Sequence, residues 1–522
     1  MPQHLQTLRT LFFALAVVSA FPTPAQTVSV TAGQLRGVPV PALPRGAAFL
    51  GIPYAAAPIG DLRWRPPQPA SHWTGIRNAT AYGPACPQSP SPWLPEMFGI
   101  TAMPTDEACL YVNVFTPQLS PPAKLPVLVW IHGGGNVEGS AEWPPLGETL
   151  AREGVVVVSI NYRLGIFGFF ASSQLAAESP HHTSGNYGPL DQLAALQWVR
   201  QNISAFGGDP DAVTVAGASS GSLDICNLMA SPLSSGLFQR AILQSGVCVD
   251  SIFPTSMQAA ASNSQSFPAS LAELRAMPAQ QLLDAANKDQ HLDLEPVIDD
   301  WFLHEQPAAT FARGGQSKIP VLVGSNENEI SIFASKLVGG NSYRPKTVMT
   351  YHQWLSHRVG LFADQVFAAY PVHQDADATA VFTTMDTDLD FGFGAELVAK
   401  ETTLAGQHAF LYHFTYKGQQ AFADLGAFHS EESMFLSKKY WTTWTRTPGD
   451  DRLSTALIAY WINFIKTGNP NLPSLPQWPV YDPKQNLCQI LDTAITTTPV
   501  PRSARFAVFQ QRLNWRLAHV AK

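Results

Sequence analysis

The sequence has 522 residues, of which 45% are hydrophobic and 11% aromatic, so it contains ample apolar material for a large buried core and is unlike a disordered chain. Its 32 basic and 39 acidic residues give a formal charge of −7, and no run of like charges stands out. Nucleic acid is therefore not an expected partner.

The first residues have the pattern of an export signal. Arg9 precedes an apolar run over residues 11–20, and small residues follow at 23–25. That run is shorter than the roughly 20 apolar residues of a membrane-spanning helix. We therefore predict a cleaved signal peptide over 1–25, a mature domain over 26–522 and a secreted or periplasmic protein, with a retained N-terminal anchor as the alternative. No later stretch predicts a membrane span.

Short apolar runs without alternation are typical of strands that are covered on both faces. Residues 27–37 alternate and then turn, which predicts an edge hairpin. Residues 190–206 have apolar positions at helical spacing and end at two glycines. The predicted buried strands are 125–131, 154–160, 212–216, 240–244, 319–323 and 409–414. Strands that alternate with helices predict an α/β fold with a mostly parallel central sheet flanked by helices.

Two further stretches stand apart from this alternation. Residues 250–310 are richer in Ala, Gln, Ser and Pro and have weaker periodicity, so we predict helices there that lie over the strand ends as a cap. Residues 468–482 are rich in Pro and Asn but include two aromatic side chains, which favours an ordered surface loop over a linker.

The sequence contains five cysteines, so an exported chain would have at least one free thiol or an intermolecular bond. Cys86 and Cys109 enclose a Pro-rich loop, and we predict a disulfide between them, with two buried thiols as the alternative. Whether Cys226 pairs with Cys248 is left open. No Cys/His cluster has metal-ligand spacing, so neither a metal site nor a cofactor is expected.

Ser219 is the candidate nucleophile. The predicted strand 212–216 runs directly into Gly217, Ala218, Ser219, Ser220 and Gly221. A serine with glycines two residues before and after it, between a strand and a helix, is the pattern of a nucleophile elbow, in which larger side chains at the glycine positions would collide with neighbouring elements. Ser220 is a rival hydroxyl, as is Ser222, but neither has glycines on both sides at that spacing.

Upstream, His132 is followed by three glycines at the end of the predicted strand 125–131. Consecutive glycines allow the backbone amides to turn toward one point and allow a substrate to approach closely. We interpret this segment as an oxyanion-hole loop, with a plain glycine turn as the alternative.

Several segments, taken in order, resemble the type-B carboxylesterase/lipase family, which also contains cholinesterases and bacterial para-nitrobenzyl esterases. The segments are 49–54 (FLGIPY), 62–64 (LRW), 107–117 (EACLYVNVFTP), 130–135 (WIHGGG), 161–169 (NYRLGIFGF), 185–210, 244–246 (QSG) and 461–470 (WINFIKTGNP). The resemblance covers nearly the whole mature chain, and it implies the α/β-hydrolase fold with a helical cap.

The resemblance also implies the other catalytic groups. Residues 324–330 match the family's acid motif and place the acid at Glu329, with Glu327 as a rival. Residues 426–432 match its histidine motif and place the base at His429.

The same resemblance implies an oxyanion hole made of the amides of Gly134, Gly135 and Ser220. It implies that Ser245 lies beside the acid. It also implies two structural ion pairs, which are Arg63 with Glu107 and Arg163 with Asp191.

Two positions depart from the family pattern. Ala218 stands where the family usually has Glu, which removes a carboxylate from the active site and disfavours a choline ester as the substrate. Asn136 stands where an aromatic residue usually follows the glycines, and we expect it to change the wall beside the oxyanion hole.

These features together predict a secreted serine esterase that hydrolyses small-molecule carboxylic esters through an acyl-enzyme. A hydrolase specialised for lactones, carbamates or polyesters is one alternative. A non-catalytic adhesion-type relative is the other. The sequence predicts neither the natural ester nor the oligomeric state.

Overall fold

The computed structural model describes residues 26–91, 103–249, 254–264, 270–289, 291–335 and 342–519. The predicted signal peptide over 1–25 lies outside these residues. Within the described ranges, no helix is both long enough and apolar enough to cross a membrane.

The strands of the described residues are β1 (Thr27–Val30), β2 (Gly33–Arg36), β3 (Val38–Val40), β4 (Leu43–Pro53), β5 (Ile76–Asn78), β6 (Tyr111–Thr116), β7 (Leu125–Ile131), β8 (Val156–Ile160), β9 (Gly208–Ala218), β10 (Arg240–Gln244), β11 (Thr255–Ser256), β12 (Val297–Ile298), β13 (Val321–Asn326), β14 (Ala409–Phe414), β15 (Leu487–Leu491) and β16 (Thr496–Pro499). All six predicted buried strands are present, and β1 and β2 form the predicted antiparallel hairpin.

The helices are α1 (Leu146–Ala151), α2 (Gly165–Phe169), α3 (Ser173–Glu178), α4 (Tyr187–Asn202), α5 (Ser220–Ala230), α6 (Met257–Asn263), α7 (Leu271–Ala276), α8 (Ala279–Lys288), α9 (Pro307–Ala312), α10 (Val348–Val359), α11 (Ala363–Ala369), α12 (Ala378–Thr387), α13 (Phe393–Leu404), α14 (Glu431–Ser437), α15 (Pro448–Thr467) and α16 (Ala507–His519). The predicted helix over 190–206 corresponds to α4 and the short 3₁₀ turn Ile203–Phe206 that follows it.

A mixed sheet forms the centre of the molecule, in the order β16-β15-β14-β13-β10-β9-β7-β8-β6-β4-β3. The strands from β15 to β8 in that order pair in parallel, whereas β16 and the group β6, β4 and β3 pair antiparallel at the two edges. The predicted α/β-hydrolase architecture with a mostly parallel sheet is therefore confirmed. The antiparallel edges were not predicted.

Both faces of the sheet are buried, which explains why its strands lack an alternating pattern. In β7, Val127, Val129 and Ile131 belong to one apolar cluster. Leu128 and Trp130 belong to a second cluster on the opposite face. The candidate nucleophile Ser219 lies at the carboxyl end of the parallel strands, directly after the last residue of β9.

The described part of 250–310 contains α6, α7, α8 and the start of α9. Leu274 and Leu282 of this segment pack with Trp64, Ile166 and Phe167 in a small apolar cluster. The division into a main domain and a cap stays a prediction. The segment 468–482 is a loop, as predicted, and it is held by the buried Trp478 and Tyr481.

Two disulfides are present, Cys86–Cys109 and Cys226–Cys248. The first confirms the predicted pair, and the second resolves the pairing that the sequence left open. Cys488 is a buried free thiol, which accounts for the odd number of cysteines.

Candidate active site

Ser219 lies on the sharp turn between β9 and α5. Its backbone has φ 57° and ψ −130°, in the left-handed region that non-glycine residues seldom adopt. The turn is held because the Ser219 amide donates to the Gln244 carbonyl of β10 over 2.9 Å. A strained serine at this position projects its hydroxyl from the end of the sheet.

The neighbouring glycines are required by close backbone contacts. A Cβ on Gly217 would lie 2.7 Å from the Ile131 carbonyl oxygen, and a Cβ on Gly221 would lie 2.2 Å from the same oxygen. A Cβ on Gly133 would lie 2.9 Å from the Ser219 Cβ. Side chains at these positions would therefore push the elbow away from β7 and the glycine loop.

His429 and Glu329 meet at the carboxyl end of β13 and β14. The Nδ1 atom of His429 lies 2.6 Å from Oε2 of Glu329, and the His429 amide donates to the Glu329 carbonyl over 3.2 Å. Glu329 is fully buried, and its Oε1 accepts from the Asn326 amide over 2.7 Å. In the described part of the chain, His429 Nε2 has no hydrogen-bond partner, so this nitrogen is available to a reacting group.

The rival residues occupy other positions. Glu327 faces Arg502, with 4.0 Å between Oε1 and Nη1. Ser222 donates its hydroxyl to the Gly246 carbonyl, and the Ser220 hydroxyl accepts from the Asn136 amide over 3.1 Å. Neither of these serines lines the cavity that contains Ser219.

A second carboxyl group lies behind Glu329. Glu432 is fully buried and accepts from the side-chain amides of Asn326 over 2.7 Å and Gln244 over 2.9 Å. Burial and then the charge of Glu329 raise the pKa of Glu432. Ser245 is also buried, and its amide donates to the Gly324 carbonyl of β13.

The glycine loop turns tightly at the end of β7. Gly134 has φ 114° and Gly135 has φ 61°, and the Gly134 carbonyl accepts from the amides of Val137 and Glu138. No acceptor within the described ranges takes the amide hydrogens of Gly134, Gly135 or Ser220. Three unpaired donors are therefore available near Ser219 for a developing oxyanion.

The expectation for Asn136 is wrong. Its side chain is buried and does not line the cavity. Its Nδ2 donates to Asp224 over 3.1 Å, and its Oδ1 accepts from the Tyr162 hydroxyl over 3.1 Å. A polar side chain at this position is satisfied by polar partners below the loop, so it faces the protein interior and is not itself part of the cavity wall.

Asp224 has no cationic partner among the described residues. It accepts from Gln192 Nε2 over 2.6 Å and from Asn136, and both donors are neutral amides. Burial raises the pKa of Asp224 to about 7. Burial, then the charge of Asp224, also raises the pKa of the nearby Glu295 to about 8. Asn136, which follows the glycine loop, is thus hydrogen-bonded to a buried carboxyl group whose pKa is raised to about 7.

A cavity of about 330 Å³ contains Ser219, His429 and the glycine loop. Its apolar wall is formed by Trp130, Trp143, Pro144, Ile332, Phe333 and Met434. Ala218 lines the same cavity, and Phe333 and Phe391 each lie with ring centroids 5.2 Å from His429. The arrangement can hold an apolar acyl or alcohol group beside a nucleophile, a base and amide donors.

Other predicted features are structural. The ion pairs Arg63–Glu107 and Arg163–Asp191 are both formed, and the second is buried, with 2.7 Å between Nε and Oδ2. The described residues include no group of three or more His, Cys, Asp or Glu side chains that could hold a metal ion.

Glu138 is a cavity residue that the sequence did not indicate. It lies outside the glycine and serine motifs, and only its position three residues after Gly135 could have drawn attention to it.

Known proteins resemble this chain in sequence. The family model described as "Carboxylesterase family" matches residues 24–509. A fumonisin B1 esterase of Sphingopyxis macrogoltabida is 36% identical over 452 residues, which cover 83% of this chain and 81% of the relative. Carboxylesterase 1C of Mus musculus is 34% identical over 480 residues, which cover 85% of this chain and 85% of the relative.

Solved structures are similar as well. A PNB esterase superposes with a TM-score of 0.78 at 33% identity, over 94% of this chain and 100% of the esterase. A Geobacillus stearothermophilus carboxylesterase superposes with a TM-score of 0.79 at 29% identity, over 93% of this chain and 100% of the enzyme.

Proposed function

The chain belongs to the carboxylesterase family and is a serine ester hydrolase, and from that premise we propose that Ser219, His429 and Glu329 form its catalytic triad. The observation that supports this most directly is the 2.6 Å contact between His429 Nδ1 and Glu329, which leaves Nε2 available in the cavity that Ser219 lines.

In this mechanism, His429 Nε2 takes the hydroxyl proton of Ser219 as the serine oxygen attacks the ester carbonyl. Glu329 holds the Nδ1–H tautomer and stabilises the imidazolium that forms. The alcohol then leaves with the proton from His429, and an acyl group remains on Ser219. Water attacks the acyl-enzyme by the same route, which releases the acid and restores the serine.

The amides of Gly134, Gly135 and Ser220 are proposed to stabilise the tetrahedral oxyanion. Their support is the glycine backbone at Gly134 and Gly135 and the position of Ser220 as the first residue of α5. Because these donors are fixed before the reaction, they stabilise the developing charge without reorganisation.

Substrates are proposed to be small esters with an apolar part that fits the 330 Å³ cavity. Aromatic and aliphatic side chains form most of the wall, and the described lining contains no Lys or Arg. The panel of test esters should include para-nitrophenyl esters of increasing acyl length, together with fumonisin B1, the compound that one relative is named for.

Export through a cleaved signal peptide is also proposed. It is supported by the apolar run after Arg9 and by the two disulfides, since such bonds persist in oxidising compartments. N-terminal sequencing of the secreted product should start near residue 26. A product that retains Arg9 would contradict cleavage.

The triad is tested by hydrolysis of para-nitrophenyl esters. The Ser219→Ala variant should lose about 10⁵-fold or more in kcat, as in other hydrolases that lack their nucleophile. Ser222→Ala, in the helix that follows Ser219, is the matched control and should keep most of the activity. Ser219→Ala activity close to that of the parent would exclude Ser219 as the nucleophile.

A further inference from the structure

Glu138 places a carboxyl group in the wall of the active-site cavity. Its side chain lies directly against the oxyanion loop, because a Cβ built on Gly134 would be 3.0 Å from Glu138 Cγ. The Glu138 side chain thus packs against the backbone of a proposed oxyanion donor.

In the described part of the chain, no basic side chain neutralises this carboxylate. Among the described residues, Glu138 forms no ion pair, and its hydrogen-bond partner is the hydroxyl of Ser91. The segment 92–102, which follows Ser91, contains no Lys, Arg or His. The pKa of Glu138 is raised, because burial outweighs the hydrogen bond from Ser91, which lowers it.

A negative charge at this position opposes ester hydrolysis. The tetrahedral intermediate is itself an anion, and two like charges repel strongly where apolar walls exclude water. Glu138 therefore slows the hydrolysis of a neutral ester, and it slows the hydrolysis of an anionic ester more. A positive charge on the substrate would remove this cost and add an attraction.

We propose that Glu138 binds a protonated amine carried by the substrate, so that the cavity selects amine-bearing esters over neutral and anionic ones. The inference rests on the proposed function of Ser219. Glu138 has carboxylate lone pairs that Ser91 alone does not fill, and an N–H donor of the amine forms a charge-assisted hydrogen bond with them.

The other residues that line the cavity also favour a protonated amine. Trp130 and Trp143 line the cavity, and aromatic faces attract organic cations. Ala218, with its short side chain, leaves room in the same lining. The carboxylate that the family usually carries at position 218 is absent, and Glu138 supplies one from the loop after β7.

The test uses pairs of esters that differ in one charge. On the alcohol side, the pair is the acetate of dimethylaminopropanol and its carbon isostere, in which CH replaces the protonated nitrogen. On the acyl side, it is methyl dimethylaminobutanoate and its carbon isostere. A trimethylammonium analogue of each amine has the charge but no N–H donor. Hydrolysis is followed by titration of the released acid.

The parent should have a higher kcat/KM for the amine than for its isostere in at least one pair. In Glu138→Gln, this preference should fall by about tenfold or more, as expected for the loss of a charged hydrogen bond. The neutral isostere should be hydrolysed faster by the variant than by the parent, so the two effects have opposite signs. The Glu138→Gln substitution should lower kcat/KM less for the trimethylammonium ester than for the amine ester.

Glu142→Gln is the matched control. Glu142 is a half-buried glutamate in the segment that follows the glycine loop, its pKa is also raised by burial, and it does not line the cavity. This variant should keep the preference of the parent.

The outcomes separate the two proposals. If the parent hydrolyses the neutral esters but Glu138→Gln changes kcat/KM equally for both members of each pair, the proposed amine-binding role of Glu138 is wrong. The proposed triad is unaffected by that result. If the parent hydrolyses no ester of any charge, the proposed function itself fails.

Discussion

The buried carboxyl groups behind His429 and those behind the oxyanion loop have different electrostatic surroundings. Glu329 contacts the imidazole that becomes a cation during the proposed reaction, so the Glu329 charge stabilises that cation. Among the described residues, the hydrogen-bond donors to Asp224 are the neutral amides of Asn136 and Gln192, and burial raises its pKa to about 7. One carboxylate therefore has a role in the proposed reaction, whereas the other is a buried acid whose pKa is raised to about 7.

The largest effect is expected where the carboxylate faces the imidazole. Glu329→Gln should lower kcat by about 10³- to 10⁴-fold, because the amide no longer holds the productive tautomer or stabilises the imidazolium. Esterase kinetics measure the change. Glu327→Gln, only two residues away but facing Arg502, should lower kcat less than about threefold by the same reasoning. A larger loss in Glu327→Gln than in Glu329→Gln would reverse the assignment of the acid.

A smaller effect is expected on stability at Asp224, and it depends on pH. Because the folded-state pKa lies above the ordinary value of 3.8, Asp224 favours folding below about pH 4, and this contribution is lost as the pH rises through about 7. Its surroundings are the amides of Asn136 and Gln192, the hydroxyl of Tyr162 and the carboxyl of Glu295.

Asp224→Asn removes this pH dependence, since the Gln192 amide can reverse to satisfy the new side chain. Relative to the parent, the variant should gain a few kcal/mol at most in unfolding free energy between about pH 5 and about pH 8, because each pKa unit corresponds to about 1.4 kcal/mol. Urea unfolding at both pH values measures the difference. An equal difference at the two pH values would contradict a raised pKa at Asp224.

The smallest effect is expected from the contact between Asn136 and Asp224. Asn136→Leu should lower the unfolding free energy by about 1–3 kcal/mol, because the Asp224 carboxyl and the Tyr162 hydroxyl each lose a buried partner. Combined with Asp224→Asn in a double-mutant cycle, the effects should be non-additive by about 0.5 kcal/mol or more. Additive effects would show that the two side chains are not energetically coupled.

Much of the fold was predictable because its buried strands are short, continuous apolar runs in the sequence. The runs 125–131, 240–244 and 409–414 coincide with β7, β10 and β14. β9 extends beyond the predicted 212–216 into more polar residues, because pairing with β7 and β10 stabilises backbone that composition alone would not assign to a strand. The antiparallel edges depend on long-range pairing, which local periodicity does not encode.

Some features of the candidate site were likewise predictable from the sequence, and others depend on long-range contacts. The glycines around Ser219 were predictable from steric need, and the close contacts of Gly217 and Gly221 explain that need. The direction of the Asn136 side chain was not predictable, since it depends on Asp224, 88 residues away along the chain. Glu138 was missed because its importance arises only when the loop folds its side chain into the cavity.

The central claim is that Ser219 forms a covalent intermediate, and covalent labelling tests it most directly. The protein would be reacted with a para-nitrophenyl alkylphosphonate, which phosphonylates activated serines, and the modified peptide would be located by mass spectrometry. We predict one label per chain, on Ser219, and no label in Glu329→Gln on the same timescale. A label on Ser220, Ser222 or any other residue of the parent, or no label at all, would contradict the account.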